Sequence, residues 1–194
     1  MEENERKMGS GNRSAVVRDL AETLLLTCVV FLAINVTTGR FFIDGNSMEP
    51  TLHDGQYIVV SKLVYELAEP GRGDIVVLQY PHDLSRNFIK RVIGVPGDEV
   101  VIDDGELIIN GSGIEEPYIG QLGSYSGQWT LGPDELFVLG DNRNNSSDSH
   151  SWGVLPRENV LGRAWVIYWP PQDWGTAPHI DYDLAHGTAH AAGE

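Results

Sequence analysis

Val100-Val101-Ile102-Asp103-Asp104-Gly105-Glu106-Leu107-Ile108-Ile109 is the stretch that decides the fold class. Two runs rich in β-branched and aliphatic residues flank Asp104-Gly105. An Asp-Gly pair between such runs is the pattern of a type I′ hairpin, because both central positions need φ > 0. Outward from this hairpin, similar short runs recur at Gln56–Val60, Asp74–Tyr80, Phe88–Val92, Glu135–Leu139 and Ala164–Trp169. With Glu99–Asp103 and Glu106–Asn110 they are parted by clusters of Gly, Pro, Asn and Asp. One short helix candidate, Ser61–Ala68, interrupts them. The pattern predicts an all-β domain of mostly antiparallel sheets over residues 39–174. The stretch 175–194 is rich in Gly, Ala, His and Asp and is expected to be disordered.

The N-terminal part reads differently. Residues 1–14 are polar, charged and aperiodic, and are expected to form a disordered tail. Residues 15–38 follow, with Leu24–Val36 apolar except for Thr27 and Asn35. A bilayer core needs ~20 residues of helix, and this segment has that length. A cleavable leader would end in small residues of A-x-A type. Val36-Thr37-Thr38-Gly39-Arg40-Phe41 contains no such site. Four basic residues precede the apolar run and Arg40 alone lies close after it. That bias predicts a cytoplasmic N-terminus and an extracytoplasmic body.

Charge narrows the function. Lys and Arg number 13 against 28 Asp and Glu, a formal net of -15. Residues 1–40 balance, so the whole excess falls on the body. An acidic body repels phosphate backbones, so nucleic acid is not expected as a partner. There is no Gly-rich nucleotide loop and no Cys/His ligand cluster. His179, His186 and His190 are too scattered to hold a metal, so no metal or other cofactor is expected. The single cysteine, Cys28, lies in the apolar segment and permits no intramolecular disulfide.

Three stretches carry chemistry. In Asp44-Gly45-Asn46-Ser47-Met48-Glu49-Pro50-Thr51-Leu52, a serine sits in a segment able to bend sharply. Such a segment can present both a hydroxyl and its own N–H, the nucleophile and an oxyanion donor. In Asn87-Phe88-Ile89-Lys90-Arg91-Val92-Ile93, strand alternation sends Lys90 and Arg91 to opposite faces. One of them points to the side shared by Phe88 and Val92. An ordinary lysine, with a pKa of ~10.4, is a poor base at neutral pH, and desolvation can lower that value by several units. The third stretch, 140–153, is a dense polar loop after the strand Glu135–Leu139, where supporting groups commonly sit.

Together these stretches resemble the bacterial type I signal peptidases. The resemblance rests on G-x-S-M-x-P-T-L at 45–52, R-G-D-I-V-V at 72–77, K-R-V-I-G-x-P-G-D at 90–98 and G-D-N-R-x-N-S-x-D-S at 140–149. It implies an all-β, mostly antiparallel signal-peptidase fold with one N-terminal transmembrane helix in the cell membrane. It implies a serine endopeptidase in which Ser47 is the nucleophile and Lys90 the general base. By the same resemblance Ser146 orients the lysine amine, and Asp148 braces the site through a salt bridge. The family's usual arginine partner for that aspartate is His150 here. Gly45 stands where some members carry a serine oxyanion donor, which leaves the Ser47 N–H as the assured donor.

The resemblance also implies cleavage after small residues, in shallow pockets lined by Phe41, Ile43, Met48, Leu52, Ile58, Val77, Phe88 and Ile89. The implied partners are the signal peptides of exported precursors, the lipid bilayer and, transiently, the secretion channel. Three other readings compete. One is a triad of Ser47, His150 and Asp148. A second is a Ser–Lys self-cleaving regulator. The third is a membrane-tethered module that binds precursors without cutting them.

Overall fold

Alternating and continuous apolar runs both become strands, and the difference between them reports how many faces each strand buries. The computed structural model describes residues 2–191, with side chains for residues 15–189. The chain divides into two units, Met1–Thr38 and Gly39–Glu194.

The first unit is helix α1 (Glu2–Thr37). Its part Ala15–Thr37 is long and apolar enough to cross a membrane, and none of its most apolar window is buried. The polar residues within it bond to their own backbone one turn back. Thr23 and Thr27 Oγ1 donate to the carbonyls of Asp19 and Thr23 at 2.8 Å, and Asn35 Nδ2 donates to that of Phe31 at 2.7 Å. Each of these side chains thus returns a donor to the helix's own backbone. The disordered tail expected over 1–14 differs in the backbone, which is helical from Glu2. Glu2/Arg6 and Glu3/Lys7 have the spacing that favours helix. The side chains of 1–14 lie outside the described residues.

Strand β1 (Thr38–Phe42) starts at the boundary, and the second unit goes on with β2 (Tyr57–Ser61), β3 (Ile75–Tyr80), β4 (Asp83–Gly94), β5 (Glu99–Asp103), β6 (Glu106–Ile109) and β7 (Ser112–Ile114). It continues with β8 (Gly127–Thr130), β9 (Glu135–Leu139), β10 (Leu155–Pro156), β11 (Val160–Trp169), β12 (Gly175–Thr176), β13 (Ile180–Asp183) and β14 (Thr188–Ala191). Short helices α2 (Val64–Leu67) and α3 (Ser149–Trp152) punctuate them. The large sheet runs β1-β2-β11-β3-β4-β9-β10, with β12 on β11. A second sheet runs β7-β6-β5-β8, and β13 pairs with β14. The pairings of β2, β3, β4, β9 and β10 within the large sheet are antiparallel, as the sequence predicts.

The hairpin forms as read. Val101 opposes Ile108 and Ile102 opposes Leu107, across Asp104 at φ 48° and Gly105 at φ 86°. Strand β3 explains the continuous run Ile75-Val76-Val77-Leu78. Ile75 and Val77 enter one core with Ile43, Met48, Leu52 and Ile58, while Val76 and Leu78 enter another with Val92, Leu136 and Val138. Both faces of the sheet are dry at this strand, so there is no polar alternation to see. A third core joins Ile93, Val100, Ile102, Leu107, Phe137 and Leu139 to Ile180 and Ala189.

That last pair corrects the sequence reading of 175–194. The segment is not a disordered tail over its described residues: β12 joins the large sheet, and β13 and β14 form a hairpin. Ile180 and Ala189 are 3% and 1% exposed. Gly73 permits the docking, since a Cβ there would lie 1.6 Å from the Ile180 carbonyl oxygen. Asp183 accepts the turn N–H groups of Ala185 and His186 at 3.0 and 3.2 Å. A few apolar anchors and a capped turn suffice, because the core receiving them is already built.

Candidate active site

The β3–β4 register positions the amine. Lys90 lies opposite Val76 and Phe88 opposite Leu78, so Lys90 shares its face with apolar neighbours. The residue is 3% exposed. Its Nζ donates to Ser47 Oγ at 2.8 Å and to the Ile89 carbonyl at 2.7 Å. The Phe88 ring centroid stands 5.5 Å from Nζ. Burial strips water from the ammonium and lowers the Lys90 pKa to about 8, partly opposed by the charges of Asp148 and Asp141. With the amine neutral, the 2.8 Å contact lets the hydroxyl donate to nitrogen.

Ser47 sits on a turn held from both sides. Gly45, at φ 102°, turns its N–H to Asp54 Oδ1 at 2.7 Å. The Glu49 N–H reaches the Asn46 carbonyl at 3.2 Å, and that of Leu52 reaches Met48 at 2.9 Å. From the polar loop, the Asn142 N–H donates to the Ser47 carbonyl at 3.1 Å, and its Nδ2 donates to that of Asn46 at 3.0 Å. The Ser47 N–H itself has no acceptor among the described residues, which leaves it available to a developing oxyanion.

The loop 140–153 is anchored by Asp148, which is fully buried. Its Oδ2 accepts from the Gly140 N–H at 2.9 Å. Its Oδ1 pairs with His150 Nδ1 at 2.6 Å and accepts from the His150 N–H at 3.2 Å. His150 therefore occupies the partner position, and its ring stacks on Tyr125 with centroids 3.9 Å apart. Ser146 Oγ is buried without a hydrogen-bond partner. The Cβ that Gly140 lacks would lie 2.3 Å from this oxygen and 2.4 Å from the Ser47 carbonyl oxygen, so glycine lets the loop close against the serine turn. No hydrogen bond joins Ser146 to Lys90 in this arrangement. Nor does His150 bond Ser47, so the alternative triad is not assembled among the described residues.

A cleft of ≈ 120 Å³ opens at Ser47 and Lys90. Of the eight lining residues expected from the resemblance, Phe41, Ile43, Ile58, Val77, Phe88 and Ile89 face it. Met48 and Leu52 do not. They are 1% and 0% exposed in the core beneath, because the turn from Met48 to Leu52 directs both side chains inward. Phe42, Asp44 and Asn87 line the cleft unexpectedly, and each is next in sequence to an expected lining residue. Gly140 and Asn142 lay within a stretch recognised as polar. Only the approach of that loop to the serine turn shows what they do.

The sequence matches known proteins over most of its length. A family model described as "Signal peptidase, peptidase S26" matches residues 17–169. A probable signal peptidase I-2 of Synechocystis sp. is 40% identical over 159 residues, covering 78% of this chain and 73% of that protein. A signal peptidase I of Leptolyngbya laminosa is 43% identical over 162 residues, covering 77% and 78%. One of Bacillus amyloliquefaciens is 34% identical over 172 residues, covering 82% and 91%. With a matching model over most of its length and relatives at this identity, the chain belongs to the signal peptidase family, peptidase S26.

Proposed function

We propose that this chain is a membrane-bound serine endopeptidase that removes N-terminal signal peptides from exported precursors, with Ser47 as nucleophile and neutral Lys90 as its general base. The observation that carries the reading is the 2.8 Å contact between Ser47 Oγ and a buried Lys90 Nζ. Lys90 takes the hydroxyl proton as Ser47 attacks the scissile carbonyl. The Ser47 N–H receives the oxyanion. The ammonium then protonates the departing amine, leaving an acyl-enzyme and a neutral lysine. Water, deprotonated by Lys90, attacks the acyl carbon. The second tetrahedral intermediate collapses, the proton returns to Ser47, and the signal peptide leaves as a carboxylate. Asp148 holds Gly140, and through it the loop that carries Ser146. That loop is the supporting element of the site.

The cleft beside Phe41, Ile43, Ile58, Val77, Phe88 and Ile89 favours small side chains before the bond by excluding larger ones. A bound peptide also covers Lys90 and dries it further. Helix α1 anchors the enzyme, with its N-terminus cytoplasmic and its body outside. Leucine, isoleucine, valine and phenylalanine side chains along Ala15–Thr37 are unburied. Each would gain ~1.5–3 kcal/mol from an apolar surrounding, which supports a lipid setting. Tethering raises the local concentration of enzyme at bonds near the membrane surface. Exposed Phe42, Trp165, Trp169 and Trp174 suit contact with the interface, and transient contact with the secretion channel fits the same location.

The test is cleavage of a precursor with Ala-x-Ala before the bond. Ser47→Ala and Lys90→Ala are each expected to lower kcat/KM by roughly 10⁴-fold or more, with His150→Ala retaining substantial activity. Retention of activity by Lys90→Ala would overturn the assignment of the base.

A further inference from the structure

The serine turn separates two hollows, and the mechanism above uses one. Asp44 and Ser47 face the cleft that receives the residues before the scissile bond. Glu49 and Pro50, two and three residues on, face a second hollow of ≈ 300 Å³. Its other wall is the loop carrying Asn142 and Asn144, with Gln121 beside it. Asn142 belongs to both arrangements, since its backbone and side chain hold Ser47 and Asn46.

We propose that this second hollow receives the polypeptide on the far side of the scissile bond, the first residues of the mature protein, and that Glu49 gives it a preference for basic side chains. The inference rests on the proteolytic reading of Ser47 and Lys90. An acyl-enzyme at Ser47 keeps the signal peptide in the first cleft. The departing chain must therefore lead away on the other side of the turn, where this hollow lies. Six of its eight lining residues are polar or charged, whereas seven of the eleven around the first cleft are apolar. It is also the roomier of the two, so size exclusion cannot select there and charge can.

The charges around it leave one group in excess. Asp141 is taken up by Arg91, with oxygens 2.9 and 2.7 Å from the guanidinium. Arg143 is taken up by Glu116 at 2.7 and 2.6 Å. Glu49 has only His53 Nδ1, at 3.9 Å, and its side chain is 41% exposed. Among the described lining residues it is the carboxylate without an Arg or Lys partner.

The experiment uses the full chain in detergent and peptides identical up to an Ala-x-Ala site, with Lys, Gln or Glu at the second, third or fourth position after the bond. At one of these positions kcat/KM is expected to be roughly three- to fivefold higher for Lys than for Glu, the size of a partly exposed charge pair. The ratio should shrink at high salt. Glu49→Gln should bring it close to one, and Glu49→Lys should invert it. A wild-type ratio of one at all three positions, or a ratio that Glu49→Gln and Glu49→Lys leave unchanged, would overturn the proposal. Failure of the folded wild-type enzyme to cut any of the peptides would instead overturn the proteolytic reading, and this inference with it.

Discussion

Lys90 and Arg91 are neighbours on β4, both almost fully buried, and they meet opposite electrostatic fates. Lys90 faces Ser47 and Phe88 with no carboxylate in contact, and burial lowers its pKa. Arg91 faces the other way. Burial pulls its pKa down as well, but the Asp141 carboxylate, with its hydrogen bonds, outweighs that and leaves the value raised. A carbonyl bond from Arg91 Nη1 to Gly73 at 2.9 Å and the Tyr118 ring 4.7 Å away complete its surroundings. Burial alone therefore does not decide what a cation becomes. A counterion within hydrogen-bond reach turns one into a structural clamp, and its absence leaves the other with a lowered pKa, as the proposed base requires.

The comparison can be broken most severely at the clamp. Asp141→Asn leaves Arg91 buried and charged without its carboxylate, and is expected to cost about 3–5 kcal/mol in urea-induced unfolding. A loss below about 1 kcal/mol would mean that water reaches Arg91 and that the two faces are less distinct than their geometry implies.

Lys90→Met acts in the opposite direction. It should abolish activity and stabilise the fold by up to about 3 kcal/mol at pH 7, since it removes a desolvated amine. The sign follows from the depressed pKa. Between about 8 and 10.5 the unfolded chain holds the proton and the folded chain does not, so wild-type stability rises across that window. The advantage of Lys90→Met should accordingly be full below pH 8 and fade by pH 10.5. An advantage that does not change with pH would show that packing, not desolvation, is its source.

The gentlest probe is the pH profile of the wild type. With a Lys90 pKa of about 8, roughly a tenth of the amine is neutral at pH 7 and half near pH 8. The single-turnover rate should climb about fivefold over that unit and level off above it, with a lower midpoint once substrate covers the amine. A midpoint near 10 would place Lys90 in water.

The sequence carried this contrast only halfway. Alternation sent Lys90 and Arg91 to opposite faces, one of them shared with Phe88 and Val92, because side-chain direction along a strand is local. It could not supply Asp141, 50 residues on, as the partner of Arg91. Nor could it bring Ser47 to Lys90 across 43 residues, which required the resemblance and then the register of the large sheet. The hairpin at Asp104-Gly105 was legible because one turn type specifies it. Strands β7, β8 and β10 were not, being short and weakly apolar. Met48 and Leu52 show the same limit at the site. Which way a turn directs a methionine is a tertiary fact, so both were assigned to a pocket although they lie in the core.

The approach of Gly73 to the Ile180 carbonyl bears on where the chain can be shortened. The stretch shared with the family ends at Trp169, yet residues beyond it complete the body. The Pro178 carbonyl accepts from Arg91 at 3.4 Å, and Ile180 and Ala189 close the core over Ile93 and Phe137. A protein trimmed at Trp174 would open that core to water and unseat a hydrogen bond of the Arg91 clamp. The last strands are keystones of the catalytic body, although they stand outside the region by which its kinship is recognised.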